Sequence, residues 1–256
     1  MKILVCVKQV ADMESAFKID AAGTWIDERE IAFRMNEYDE YAVEQAVRIK
    51  EQREGDTDIT ILSIGPQRVT ETVKKALAMG GDRGVHVSDD ASARKDPWQI
   101  ASIIAAFAID KQFDLIFTGM QSQDRGSAQV GVFTAERLGI PCVTTVVEFV
   151  LEGGDVTAAR ELEGGVKMIV KFGLPAVVTC QLGLNRPRYP TLPNIMKARQ
   201  KEIKSIPVSE LLNEDPLLSV EKIYHPEKKN HAVVLEGEVS ELADRVAVML
   251  KEKSFR

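Results

Sequence analysis

A chain of 256 residues, 45% of them hydrophobic, is long enough for one substantial core, as one large domain or one domain with extensions. Its net charge of -6 excludes a general nucleic-acid binder, which needs a basic face. No apolar run approaches the roughly 18–20 residues that cross a bilayer, and the opening MKILVCVKQV is too short in its apolar part for a signal peptide. A cytoplasmic protein without direct membrane insertion is therefore expected.

Residues 2–8, KILVCVK, read as a first strand. A helical pattern follows at 36–53, with Tyr38, Ala42, Ala46 and Ile49 on one side and Val43 and Val47 beside them. DITILSIG (58–65) is the next strand, and PQRVTETVKKALAMGG the next helix, opening on Pro66 and closing in glycine. GVHVS (84–88), the apolar helix DPWQIASIIAAFAIDKQF and the strand DLIFTG (114–119) continue the alternation. Strands alternating with helices give an α/β protein with a doubly wound, mainly parallel sheet, whose ligands bind beyond the carboxyl ends of the strands.

After Pro141 the pattern changes. VTTVVEFVLEGGDVTAARELEGGVKMIVKFGLPAVVTC has no long helical period, and its GG pairs punctuate β-rich runs, so an antiparallel hairpin or meander extends the sheet. Residues 1–204 are assigned to the α/β domain. Residues 205–256, with one helix in VSELADRVAVMLKE, form a polar arm too poor in apolar residues for a core of its own. Such an arm packs back on the domain or embraces another chain, and the second is preferred.

The stretch TGMQSQDRGSAQVG links the strand at 114–119 to a helix expected from about Ser127. Free amides at that helix start form an anion site, Gly126 permits close backbone approach, Ser127 caps or meets a phosphate, and Gln121 and Gln129 offer amides to a ribose or base. An ordinary β–α turn capped by serine is the plainer reading; the length and polarity of the loop favour a ligand. Asn36 reads as a helix N-cap with Asp39 in a capping-box-like place, and Ile64 lies at the end of its strand in what reads equally well as a tight turn. RPRYPTLPNIMKAR carries prolines at 187, 190 and 193, which favour an extended course. Leu192, Ile195 and Met196 would then be apolar groups ringed by Arg186, Arg188, Lys197, Arg199 and Lys201, suited to docking on an acidic protein surface, or else a linker pinned to the domain.

Cys6, Cys142 and Cys180 are far apart among apolar residues and are expected as buried free thiols. His86, His225 and His231 stand at no metal or triad spacing, and no GxGxxG after a strand, Walker A loop, HExxH or GxSxG elbow occurs. These features describe a nucleotide-binding module with a docking loop and without a catalytic signature, hence no enzyme.

VCVKQV, ALAMGGDRGVHV, LPAVVT and above all NRPRYPTLPNIMKA resemble, in order, segments of the β subunit of electron transfer flavoproteins over essentially the whole chain. AARELEGGVKMIVKFGLPAVVT is similar to the family signature, departing at Lys167, where an acid or amide is usual. The resemblance implies an adenine-nucleotide α-hydrolase-like fold and a heterodimeric electron carrier active in processes such as fatty acid oxidation. FAD would be bound mainly by the α subunit, taking electrons from acyl-CoA-type dehydrogenases and passing them to a quinone oxidoreductase, with the flavin supplying the chemistry. It also implies a structural AMP in this subunit, touching Cys6, the segment Asn36, Glu37, Tyr38 and Asp39, and Ile64. On the long loop its contacts would be Gln121, Ser122, Gln123, Asp124, Arg125 and Gly126, then Ser127, Ala128, Gln129, Val130, Gly131 and Val132.

Residues 184–200 would be the recognition loop, in which Leu192 enters a pocket of the dehydrogenase with Arg188, Tyr189, Ile195, Met196 and Lys197 around it. The tail would be the arm that wraps the α subunit. Met13 stands where some relatives place a tyrosine near the flavin. Electron-bifurcating members carry a second FAD in place of AMP and react there with NADH. Their loops resemble QSQDRGSAQVG at Gln121, Asp124, Ala128, Gln129, Val130 and Gly131, but PTLPNIMKA and the Arg125-Gly126 pair favour AMP. A stand-alone regulatory module of the universal-stress type is disfavoured by the docking loop and the tail.

Overall fold

The computed structural model describes residues 1–53, 55–212, 214–226 and 234–253. Its elements run β1 (Lys2–Cys6), β2 (Gln9–Ala11), β3 (Phe33–Met35), α1 (Glu37–Gln52), β4 (Asp58–Gly65), α2 (Thr70–Met79), β5 (Arg83–Ser88), α3 (Pro97–Ala108), β6 (Leu115–Gly119) and α4 (Val130–Leu138). There follow β7 (Cys142–Glu152), β8 (Asp155–Glu161), β9 (Lys167–Gly173), β10 (Ala176–Cys180), α5 (Leu192–Ala198), β11 (Ile203–Pro207) and α6 (Val239–Lys253). Nine of the strands form one sheet in the order β11-β5-β4-β1-β6-β10-β7-β8-β9, and β2 pairs antiparallel with β3 apart from it.

Alternation along the central strands sorts the core into two layers. Ile3, Val5, Ile59, Ile61, Leu115 and Phe117 face α1 and α2, while Leu4, Leu62, Ile116 and Val177 face α3 and α4. Both faces are covered by helices, so the sheet is doubly wound. After β1 the chain builds β4 and β5 on one side, then crosses back to lay β6 on the other. The topological switch point therefore lies between the carboxyl ends of β1 and β6. Asp96 caps α3 through a bond from the Gln99 amide (2.8 Å), with Pro97 in the first turn.

The expected meander is present as β7-β8-β9, antiparallel throughout. Its last part departs from expectation: β10 returns inside the sheet, parallel to both β6 and β7. All five residues of β10 are buried, the mark of a central parallel strand. Lys167 pairs with Glu148 across the outer face (2.7 Å).

The domain extends past the 204/205 boundary drawn from sequence. β11 pairs in parallel with β5, Leu211 and Leu212 pack on the α3 side of the core, and the Leu217 and Leu218 amides donate to Asp96 (2.6 and 2.9 Å). The first stretch of the expected arm thus packs back on the sheet, and the compact unit runs from Met1 to Lys222. The second unit begins at Ile223 and contains α6, on which Val239, Leu242, Val246 and Leu250 recur at helical spacing. His231 lies outside the described residues. Among those described, no helix is long and apolar enough to cross a membrane.

Candidate functional site

At the switch point a buried carboxylate joins the two strand tips. Asp39 is 4% exposed; its Oδ2 accepts from the Lys8 amide (2.6 Å) and its Oδ1 from the Gly119 amide (3.0 Å) and from Asn36 Nδ2 (3.0 Å). Burial pushes the carboxyl up to about 7, against the pull of those three donors toward the ionised form. Gly119 is required here because a Cβ on it would stand 2.3 Å from Asp39 Oδ1 and 2.7 Å from Tyr38 Cβ. Asn36 occupies the N-cap position of α1, yet neither it nor Asp39 caps the helix by side chain, contrary to the capping-box expectation. The Asn36 amide group instead holds the loop beyond β6, donating to Gln121 O (2.9 Å) and accepting from the Gln123 amide (3.1 Å).

That loop is pinned by one polar contact after another. Lys8 Nζ pairs with Asp124 (2.7 Å) and reaches Ser122 Oγ (3.2 Å), while Gln121 Nε2 donates to Tyr38 Oη (3.1 Å). Gln123 donates to Glu37 (2.9 Å) and accepts from Arg34 (3.0 Å). Arg125 donates to the Ala93 carbonyl and lays its guanidinium over the Trp25 ring at 4.7 Å.

α4 starts at Val130, three residues beyond the expected Ser127, because Ala128 takes a left-handed φ of 53° that the helix cannot include. Neither Ser127 nor Gln129 caps it. The amides of Val130, Gly131 and Val132 have no acceptor among the described residues, and the first turn carries no acid. Gly131 lets α4 approach the sheet, since a Cβ there would meet Thr179 Cγ2 at 2.6 Å and Thr118 Oγ1 at 2.7 Å. Unpaired amides, the exposed backbone at Gly126 and a first turn free of carboxylates fit an anionic group such as a nucleotide phosphate. Cys6 and Ile64, at the ends of β1 and β4, pack on the α3 side of the core and form an apolar wall beside this edge. The site residues expected from sequence for a nucleotide thus share one edge of the sheet.

All three cysteines are free. Desolvation pushes the Cys6 and Cys180 thiols far up and Cys142 up to about 11, which keeps them protonated and unreactive. Among the described residues no group of His, Cys, Asp and Glu is placed to hold a metal.

The segment 184–200 lies elsewhere, against α1 and α2. Asn185 Nδ2 donates to Tyr41 O (3.0 Å), and Arg188 forks onto Glu44 (2.8 Å) and Glu51 (2.6 Å). Arg188, expected as part of the charged docking rim, is therefore committed to α1. The extended course predicted from the prolines stops at Thr191, whose hydroxyl caps a two-turn helix, α5, with Pro193 in its first turn. Tyr189 (94%), Leu192 (77%) and Met196 (56%) are exposed, Ile195 less so, and Lys197 is exposed beside them. Glu44 and Glu51 escaped the sequence reading.

Comparison with known proteins agrees with this architecture. A family model described as electron transfer flavoprotein domain matches residues 23–211. The chain is 36% identical to the electron transfer flavoprotein subunit beta of Methylophilus methylotrophus, covering 98% of each chain, and 36% identical to that of Bacillus subtilis, covering 99% of each. It is 37% identical to the human protein of that name, over 92% of this chain and 93% of the relative. With a family match over most of the domain and relatives aligned from end to end, the chain belongs to the electron transfer flavoprotein family, as a β subunit.

Proposed function

We propose that this subunit is the AMP-bearing half of a heterodimeric electron carrier that takes electrons from acyl-CoA-type dehydrogenases and delivers them to a quinone oxidoreductase. The observation that carries the nucleotide part is the convergence of Asn36–Asp39, Cys6, Ile64 and the 121–132 loop on the switch-point edge, beside the unpaired amides of α4. The Val130–Val132 amides and Gly126 would hold the phosphate, and Cys6 and Ile64 would flank the base. FAD, held mainly by the α subunit, supplies the redox chemistry when bound; this chain contributes position, electrostatics and partner surface. The ring of charged Asp124, Lys8 and Glu37 contacts keeps the loop in place, so the nucleotide acts as a structural ligand.

The test is to co-express the chain with its α subunit, extract the complex and quantify AMP and FAD. One of each per heterodimer is expected. Two FAD and no AMP would overturn the reading and move NADH chemistry to this subunit.

The docking surface is Tyr189, Leu192 and Met196 on the anchored segment, with Lys197 at its rim. Leu192 is 77% exposed, so its truncation removes little from the fold. Leu192→Ala is expected to leave unfolding and flavin content unchanged. It should weaken transfer from the dehydrogenase about tenfold, the worth of one buried leucine anchor in an interface. Stopped-flow reduction with unaltered concentration dependence would reject the docking role.

A further inference from the structure

The chain between β2 and β3 is built as a flap. Its stem is the two-stranded ribbon itself, and its tip is a small hairpin in which Ile19 bridges Ile26. The Asp20 amide donates to Trp25 O (2.8 Å) and the Asp27 amide to Lys18 O (2.8 Å), so the tip can move as one piece. Val10 and Ala11 at its root and Met35 at its end are buried, whereas no residue from 12 to 34 is. With no core of its own, the tip depends on contacts at its edges.

Two arginines make such contacts from opposite sides of the cleft. Arg68, in the turn after β4, lays its guanidinium over the Phe33 ring (4.2 Å) and pairs with Glu28 (2.9 Å). Arg125, in the loop after β6, covers Trp25, whose indole N–H donates to the same Glu28 (3.0 Å). β1 stands between β4 and β6 in the sheet, so the flap is fastened across the carboxyl end of β1, where Cys6 lies. Its closure leaves Arg68 Nε and, at the stem, Gln9 Oε1 buried without a hydrogen-bond partner among the described residues. Each regains a hydrogen bond to water when the flap lifts, which narrows the free-energy gap between shut and open.

We infer that residues 12–34 form a gate, latched by Arg68, through which the nucleotide enters and leaves the cleft. This rests on the nucleotide reading above, which seats the base beside Cys6 and so beneath the flap. The loop over the phosphate is pinned by Lys8–Asp124, by both ends of the Asn36 amide group and by Gln121–Tyr38. Of the two covers, the flap lifts at the smaller cost. A gate has a kinetic signature that a ligand contact lacks. Weakening the latch favours opening with the nucleotide in or out, so entry and exit both quicken while affinity stays. Losing a ligand contact quickens exit alone and weakens binding.

The experiment takes the heterodimer, wild type and Arg68→Ala, and follows the uptake of radiolabelled AMP, its loss to excess unlabelled AMP, and the amount held at equilibrium. In Arg68→Ala both rates should rise about tenfold, the scale of one cation–π contact and one partly exposed ion pair together. Equilibrium binding should be unchanged, and amide hydrogen exchange should quicken over 12–34 while β1, β4 and β6 keep their protection. Trp25→Ala, which releases the other side of the flap, is held to the same expectation and decides the matter if Arg68→Ala does not assemble. Unchanged rates in a complex that holds AMP overturn the gate and leave the nucleotide reading standing. Faster loss matched by weaker binding makes the altered residue a ligand contact and likewise overturns the gate. A wild type that neither contains nor takes up AMP overturns the nucleotide reading, and the gate with it.

Discussion

Asp39→Ala should lower the unfolding free energy by roughly 2–4 kcal/mol at pH 5 and by clearly less at pH 8. The loss arises because the Lys8 and Gly119 amides, at the tips of β1 and β6, each donate a hydrogen bond to this carboxyl and would be left partly buried without an acceptor. Asn36 Nδ2 keeps a second acceptor in Gln121 O and loses less. The pH dependence follows from burial, which raises the folded-state value to about 7 from 3.8. Between those values the native chain holds a proton that the unfolded chain has released, so stability is greatest on the acid side and falls as pH rises through 7. The slope is at most about 1.4 kcal/mol per pH unit. The neighbouring thiols, Cys6 and Cys180, remain protonated across this window and do not obscure it. Urea midpoints of wild type and variant, measured from pH 5 to pH 8, should converge as pH rises. Parallel profiles would mean that Asp39 titrates as an ordinary aspartate and that its clamp is not coupled to protonation.

The strands and most helices were legible because their signals are local. Ile3 and Val5 against Leu4, or Ile59 and Ile61 against Leu62, sort by parity along a few residues, and Asp96-Pro97 announces a helix within two. The switch-point loop was legible for a similar reason, as a long polar insertion directly after an apolar strand. The role of Asp39 was not, because its decisive partners at Lys8 and Gly119 are remote in sequence, whereas a capping box is judged from residues three apart. β10 was absorbed into the meander although AVVTC is an unbroken apolar run, the pattern of a strand covered on both faces. The start of α4 was placed too early because nothing in SAQVG announces the left-handed turn at Ala128. In the docking segment three prolines outweighed Thr191-Leu192-Pro193, itself a helix-start signal of cap and first-turn proline.

Arg188→Ala should destabilise the domain by about 2 kcal/mol, a fall in Tm near 5 °C, and release the proposed docking segment without altering any of its exposed side chains. Glu44 is 3% exposed, and its carboxylate is shared between Arg188 and Arg48 (2.8 Å each). Desolvation works to raise its pKa, but the two guanidinium groups outweigh that and hold it below the usual glutamate value. Stability from this pair is accordingly present above the unfolded value and is lost as pH falls through the folded one. Removing one partner of a buried ion pair costs about 3–5 kcal/mol when the remaining charge is abandoned. Arg48 stays beside Glu44 and Arg188 is one-third exposed, so the smaller figure applies here. Arg188 also holds Glu51, and its backbone amide donates to Glu44 (3.2 Å), so the side chain sets the path of the chain leading to Tyr189 and Leu192. Amide hydrogen exchange should show protection lost across 185–198 while β1, β4 and β6 keep theirs, with weaker coupling to the proposed dehydrogenase partner despite an intact Leu192. Unchanged exchange in that segment would show that Pro187, Pro190 and the Asn185 bond to Tyr41 fix its course without the ion pairs, leaving Arg188 free to serve as the rim charge first expected of it.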